Sequence, residues 1–355
     1  MKVYRPRGVR ISGTGSYLPA RVVSNAELVA AGAPLTDEEM VRLSGIRTRH
    51  HAAPDEATSD LAAEAGRRAL ACAGQSRAGV ERLILATVSP DHSSPSAACV
   101  AQAALGLAPS PAFDLTASCS GFLYALDAAA RAVATGDSAV LAIAADIRSR
   151  FVDPTDRATC ALFGDGAGAA VVCGSGDDDG TGLVAIGLSA DGAGAHAVYV
   201  PAGGSREPAS AETVAGRRHF IRMAEGPQVY LAAVEGMLAT GEALLEELGL
   251  GWGDLDLVVP HQPNRRILDR LARLADLPSE KMFVNVDRIG NVSGATVAIG
   301  LDEALRSGRA RAGAKILLLA AGAGYTAGAA LLVVDSALAN AASRVPGGSS
   351  TRGPT

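Results

Sequence analysis

Three polar residues stand at the ends of apolar runs, where α/β proteins place their chemistry. Cys119 lies in "AFDLTASCSGFLYAL", after a short apolar run and before an alanine-rich helical one, with Gly121 two residues on. A helix N-terminus carries about half a positive charge and free N–H groups. Both favour a thiolate, and the same N–H groups can hold an oxyanion. A buried structural thiol, the usual fate of a free cysteine, is the competing reading, and the residue alone leaves the two open. His261, in "VVPHQPNRRIL", ends an apolar run directly before a Pro-containing helix start. A lone histidine there is more often structural, and it gains weight as a base for a cysteine. Asn291, in "DRIGNVSGAT", reads either as a turn or cap residue or as a neutral hydrogen-bond donor beside His261.

The other candidates are weaker. Cys72, Cys99 and Cys173 lie in apolar helix- or strand-like surroundings, and Cys160 sits in a polar loop with no base nearby in sequence. His50, His51, His92, His196 and His219 occupy polar or loop contexts that suggest exposure. "FGDGAGAAVV" suggests a phosphate-cradling loop, but a strand follows it where a helix is required; its glycines read as close backbone packing near the site. None of the five cysteines forms a CxxC pair, so neither zinc nor a disulfide framework is expected.

The elements that must position these residues alternate. Strands are predicted at 82–88, 112–116, 139–146 and 166–174, with helices at 57–73, 96–105 and 120–135. The order then recurs. Strands fall at 182–192, 254–260, 282–286, 315–324 and 328–334, and helices at 227–248, 264–276 and 293–307. Both halves end in a Gly/Ala-rich strand, which suggests an internally duplicated α/β unit with mostly parallel, doubly covered sheets. The halves divide at 1–180 and 181–338, and the Gly/Ser/Pro-rich stretch 339–355 reads as a disordered tail.

Composition bounds the function. With 355 residues and 48% hydrophobic content the chain can bury a large core. A net charge of -5 argues against a nucleic-acid partner. No stretch reaches the roughly 18 apolar residues of a membrane span, and no signal peptide is read at the N-terminus. A cytoplasmic protein with reduced thiols and no membrane partner is expected.

Together these stretches, with "GTGSYLPARVVSNAEL", "SGIRTRHHA", "SPSAACVAQAALG", "DPTDRATCALFGDGAGAAVV" and "GAGYTAG", are recognisable. From about Val9 to Asp335 the chain resembles the β-ketoacyl-ACP synthase III family of the thiolase superfamily. The resemblance implies a thiolase fold, two duplicated α/β halves in a five-layered α-β-α-β-α sandwich, and a homodimer. It also implies a Cys-His-Asn triad, here Cys119, His261 and Asn291. Cys119 would take an acyl group from a thioester, with the N–H groups of Cys119 and Gly324 as oxyanion hole. His261 and Asn291 would stabilise the enolate formed as malonyl-ACP loses carbon dioxide, giving a β-ketoacyl-ACP. No metal or redox cofactor is implied; acyl-CoA or acyl-ACP and malonyl-ACP are the substrates, and an acyl carrier protein is the partner.

Arg157, Arg266 and Asn264 match substrate- or carrier-contacting positions, and Ser94 stands at a position lining the acyl pocket. Where common members sandwich an adenine between Trp and Arg, this chain has Glu39 and Leu43. That leaves two routes open, delivery on a carrier protein or a different CoA pose. The departures fit a starter-unit synthase of fatty acid or polyketide biosynthesis. The alternative is a relative that transfers acyl groups without condensation.

Overall fold

The computed structural model describes residues 1–175 and 179–344. Two five-stranded sheets form its frame. After β1 (Lys2–Tyr4), the first half contributes β2 (Val9–Tyr17), α1 (Asp37–Ser44), α2 (Thr58–Ala73), β3 (Arg82–Ala86), α3 (Ala97–Leu105), β4 (Ala112–Leu115), α4 (Gly121–Ala134), β5 (Ala139–Ile147) and β6 (Asp165–Gly174). The second half contributes β7 (Gly182–Ala190), α5 (Gly226–Leu248), β8 (Leu257–Pro260), α6 (Arg265–Leu274), α7 (Thr296–Arg306), β9 (Lys315–Gly322), β10 (Thr326–Val333) and α8 (Ser336–Arg344).

The sheets run β2-β6-β5-β3-β4 and β1-β7-β10-β9-β8. The strand between β8 and β9 expected at 282–286 is reduced to one parallel bridge, Met282 beside Val258. With that bridge counted, the two halves share one strand order, as the duplication requires. Short strands alternate inner and outer faces. Ile84 and Ala86 join the central core with α4 and α7, while Leu83 and Leu85 join an outer core with α2 and α3. Likewise Ile316 and Leu318 face the centre, and Leu317 and Leu319 face α5 and α6. The result is the expected α-β-α-β-α stack, with α4 and α7 buried between the sheets.

Three expectations need correction. The sheets are mixed rather than mostly parallel: β3 pairs in parallel with β4 and β5, and β8 with β9, but β2–β6, β5–β6, β9–β10, β10–β7 and β1–β7 are antiparallel. The three residues between β9 and β10 are too few for a crossover helix, so that pair must be a hairpin. The division at 180 separates the sheets except at β1, which pairs with β7 across it. Residues 339–344, expected in the tail, belong to the helix 336–344, because Leu338 and Ala342, four residues apart, are both buried and Asp335 caps the turn through the Leu338 N–H. The rest of the tail lies outside the described residues.

The glycines of "FGDGAGAAVV" act as anticipated. A Cβ on Gly168 would lie 2.5 Å from the Ala298 side chain and 2.8 Å from the Ile299 N, so only glycine lets α7 press against β6. That contact sets the depth at which α7 presents Thr296.

Candidate active site

Cys119 sits on a sharp elbow between β4 and α4. Ser118 adopts φ +48°, a left-handed conformation unusual for a residue with a side chain, and one 3-10 turn, Ser118–Ser120, leads into the helix. The second half clamps this elbow. Thr326 Oγ1 donates to the Ala117 carbonyl at 2.9 Å, and Ser120 Oγ donates to the Thr326 carbonyl at 3.2 Å. Gly322, at the end of β9, lies directly under the nucleophile: a Cβ there would be 2.7 Å from the Cys119 N.

His261 follows β8, and its N–H donates to the Leu319 carbonyl at 2.7 Å, extending the sheet by one bond. Gln262 anchors the loop. Its Nε2 donates to the Pro260 and Phe283 carbonyls, while its Oε1 accepts from the Asn285 and Val286 N–H groups. The His261 Nδ1 lies 2.6 Å from Thr296 Oγ1, which is also 3.1 Å from the Ser293 carbonyl. The hydroxyl has one proton. Donated to Ser293, it leaves Thr296 to accept from Nδ1–H, and Nε2 is a base. Donated to Nδ1, it makes Nε2–H a donor.

Asn291 is oriented by its own turn. Its Oδ1 accepts the Ser293 N–H at 2.8 Å, and its backbone bonds to Leu162 and Gly164. With Oδ1 engaged, the amide presents its NH₂ group outward as a donor. This second elbow repeats the first: Ser293 has φ +49°, and the 3-10 turn Ser293–Ala295 leads into α7. The Ser293 hydroxyl lies 4.0 Å from the Cys119 sulfur.

Cys119, His261 and Asn291 line one cavity of about 890 Å³, within the size range of small-molecule sites. Cys119 is half-buried and lines this cavity. Burial pushes the thiol up to about 11, opposed by the Ser293 hydroxyl and the Arg148 guanidinium. Burial holds His261 down at about 3. Burial thus disfavours the charged form of both groups.

Arg157, Arg266 and Asn264 also line the cavity. Arg157 is engaged: its Nη1 donates to the Pro34 carbonyl and its Nη2 to Glu39 Oε1, both at 2.7 Å. Glu39 is thus neutralised within the protein, at the cost of a free cation. Asn264 caps α6 through the Ile267 N–H. Arg266 stands exposed, with Tyr230 beneath it at 5.9 Å.

Two expected residues lie elsewhere. Ser94 is exposed and absent from the cavity wall, to which its loop contributes Val88. Gly324 is also absent from the wall; Ala321 and Ala323 line it, and Gly322 makes the contact with Cys119. Cys160 is absent from the cavity wall and packs with Leu35 and Met40, which do line it. His50 and His51 are partly buried rather than exposed, and burial lowers both. Sequence reasoning missed Thr296, Ser293, Gly322 and Arg148. The rule that favoured strand ends would have found Arg148, one residue beyond β5.

Two family models match the chain: 3-oxoacyl-[acyl-carrier-protein] synthase III over residues 113–192 and its C-terminal model over 245–334. A β-ketoacyl-[acyl-carrier-protein] synthase III of Solibacter usitatus is 42% identical over 324 residues, 91% of this chain and 97% of the relative. The crystal structure of the 3-oxoacyl-(acyl carrier protein) synthase III of Pseudomonas aeruginosa superposes with a TM-score of 0.84 at 36% identity, covering 93% of this chain and 99% of that one. The priming β-ketosynthase of the R1128 polyketide pathway superposes with a TM-score of 0.84 at 34% identity, covering 94% and 99%. A thiolase-fold frame, a shared cavity for three polar residues and similarity along nearly the whole length agree: this chain belongs to the β-ketoacyl-[acyl-carrier-protein] synthase III family.

Proposed function

We propose that the protein loads an acyl group on Cys119 and condenses it with malonyl-ACP, a starter-unit step of fatty acid or polyketide biosynthesis. In the first step the Cys119 sulfur attacks the acyl thioester carbonyl. His261 Nε2 takes the thiol proton and returns it to the departing carrier thiol, while the Cys119 N–H serves the oxyanion. In the second step the bond from the malonyl carboxylate to its α-carbon breaks and carbon dioxide leaves. The electron pair enters an enolate whose oxygen is held by Nε2–H of His261 and the amide of Asn291. The enolate carbon attacks the acyl carbonyl, the Cys119 thiolate departs, and a proton taken up from solvent restores the thiol. The steps balance without a change of oxidation state, so no redox cofactor is called for.

The observation that carries this reading is the Asn291 amide, whose Oδ1 is occupied by the Ser293 N–H. A fixed donor suits a developing enolate and offers a simple acyl transfer nothing. The relatives' names support the carrier protein as partner, and Arg266 at the mouth is a cation free to meet it. Among the described residues no helix is long and apolar enough to cross a membrane. We further place the enzyme in the cytoplasm, as a homodimer.

Intact-protein mass spectrometry tests the reading. Acyl thioesters should add one acyl mass to the native protein and to Cys160→Ala, and none to Cys119→Ala. Malonyl-ACP should then discharge the acyl group with release of carbon dioxide. Discharge by an alcohol or amine but not by malonyl-ACP would make the protein an acyltransferase and end the condensing reading.

A further inference from the structure

Arg148 takes no part in the two steps above, yet it lines the same cavity as Cys119. It is 8% exposed, and its Nε is buried without a hydrogen-bond partner. Its side chain makes no hydrogen bond or ion pair to any described residue. The contacts it does make are with two aromatic rings, Phe151 and Phe163, each centred 5.6 Å from Cζ.

The neighbouring carboxylates are committed elsewhere. Asp146 accepts from the Val88 N–H at 2.8 Å, the Gly294 N–H at 3.1 Å and the hydroxyls of Thr87 and Ser89. Asp165 accepts from the backbone N–H groups of Ala52, Arg148 and Ser149 and from the Ser149 hydroxyl. Burial lowers the Arg148 guanidinium from its ordinary value, opposed by the fields of Asp146, Cys119 and Asp165, and neither carboxylate touches it.

Burying an unpaired cation is unfavourable unless something satisfies it. Arginine's planar fork suits a carboxylate. A phosphate or an acidic carrier surface would meet the exposed Arg266 first. The enclosed Arg148 is reached by what enters the cavity itself. The malonyl carboxylate is a poor candidate. A guanidinium holding it would stabilise the ground state of a group that must leave as neutral carbon dioxide, which slows the step.

We propose that Arg148 is a specificity residue that binds a carboxylate at the far end of the acyl group on Cys119, so that the enzyme selects dicarboxylic acyl thioesters. This deepens the condensing reading and rests on it.

The test compares matched pantetheine thioesters: succinyl, glutaryl and adipoyl against butyryl, pentanoyl and hexanoyl. Acylation of Cys119 is followed by intact mass, and discharge by malonyl-ACP. In the native enzyme at least one carboxylated member should acylate at least tenfold faster than its unsubstituted match. Arg148→Leu should reverse that preference, and Arg148→Lys should retain part of it. A native preference for the unsubstituted acyl group at every length would overturn the inference, as would an unchanged preference in a folded Arg148→Leu. If Arg148→Leu does not fold, the native series decides alone. A preference for unsubstituted groups at every length, with those groups then discharged by malonyl-ACP, would sink this inference and leave the condensing reading standing. Failure of every thioester to load Cys119 would sink both.

Discussion

Asn291 and an aspartate in its place differ by one NH₂ exchanged for oxygen, which makes the position a sharp test of charge. Aspartate can still accept the Ser293 N–H, so the elbow should hold. It would face the enolate with a like charge. Loss of one such donor typically lowers the rate by about 10²–10³. Asn291→Asp should therefore leave Cys119 acylation within a few-fold and cut condensation by at least about 10². Product formation from malonyl-ACP, measured beside the acylation rate, checks this; equal loss in both steps would give Asn291 a general structural role. At this scale Cys119, His261 and Asn291 were legible as candidates because strand ends and glycine-flanked turns mark them, and the resemblance joined them into a triad. Thr296 and Ser293 were not, since their importance lies in contacts with His261 and Cys119 made through the fold.

The elbow at Cys119 and the hairpin end at Gly322 are two elements meeting at van der Waals limits. A methyl at Gly322 would lie 2.7 Å from the Cys119 N and 3.1 Å from its Cβ, and both neighbours are backbone or directly attached to it. Overpacking of this kind costs about 1–3 kcal/mol, and a displacement approaching 1 Å can cost about 10²-fold in rate. Gly322→Ala should therefore slow acylation by up to about 10² while the protein still melts cooperatively. Acylation rate and thermal midpoint measured together check it; a normal rate would mean the elbow is compliant. Most elements were legible from apolar periodicity. The strand at 282–286 was not, because "MFVNV" has strand composition, yet the chain keeps only one bridge to β8 before the turn Val286–Ile289 begins. The helix at 336–344 was obscured by the Gly/Ser-rich residues after it, although Leu338 and Ala342 give it a face to bury.

For the whole molecule, buried histidines set the response to acid. His261 is held at about 3 against an ordinary 6.5, and burial lowers His50 and His51 as well. Between pH 6.5 and the folded value, the unfolded chain binds protons that the fold refuses. Stability therefore falls as pH drops, by up to about 1.4 kcal/mol per pH unit for one such histidine. Asp146 works in the opposite sense, since burial raises its carboxyl and favours the fold on acidification. His261→Asn removes the one histidine and leaves Asp146 in place. Its thermal midpoint should fall less steeply than the native one between pH 6.5 and pH 4; parallel slopes would show that His261 already titrates in the fold.

The two elbows are counterparts, each a serine in the left-handed conformation followed by one turn and a central helix. The residue after the serine is Cys119 in one and Gly294 in the other. A Cβ on Gly294 would lie 2.9 Å from the Ser118 carbonyl oxygen, so the second half has no room for a nucleophile of its own. What was doubled has become a division of labour, one half to carry the cargo and the other to arm its partner. Because both halves are one polypeptide, their stoichiometry is settled at translation: each molecule has one seat for cargo, whatever assembly it joins.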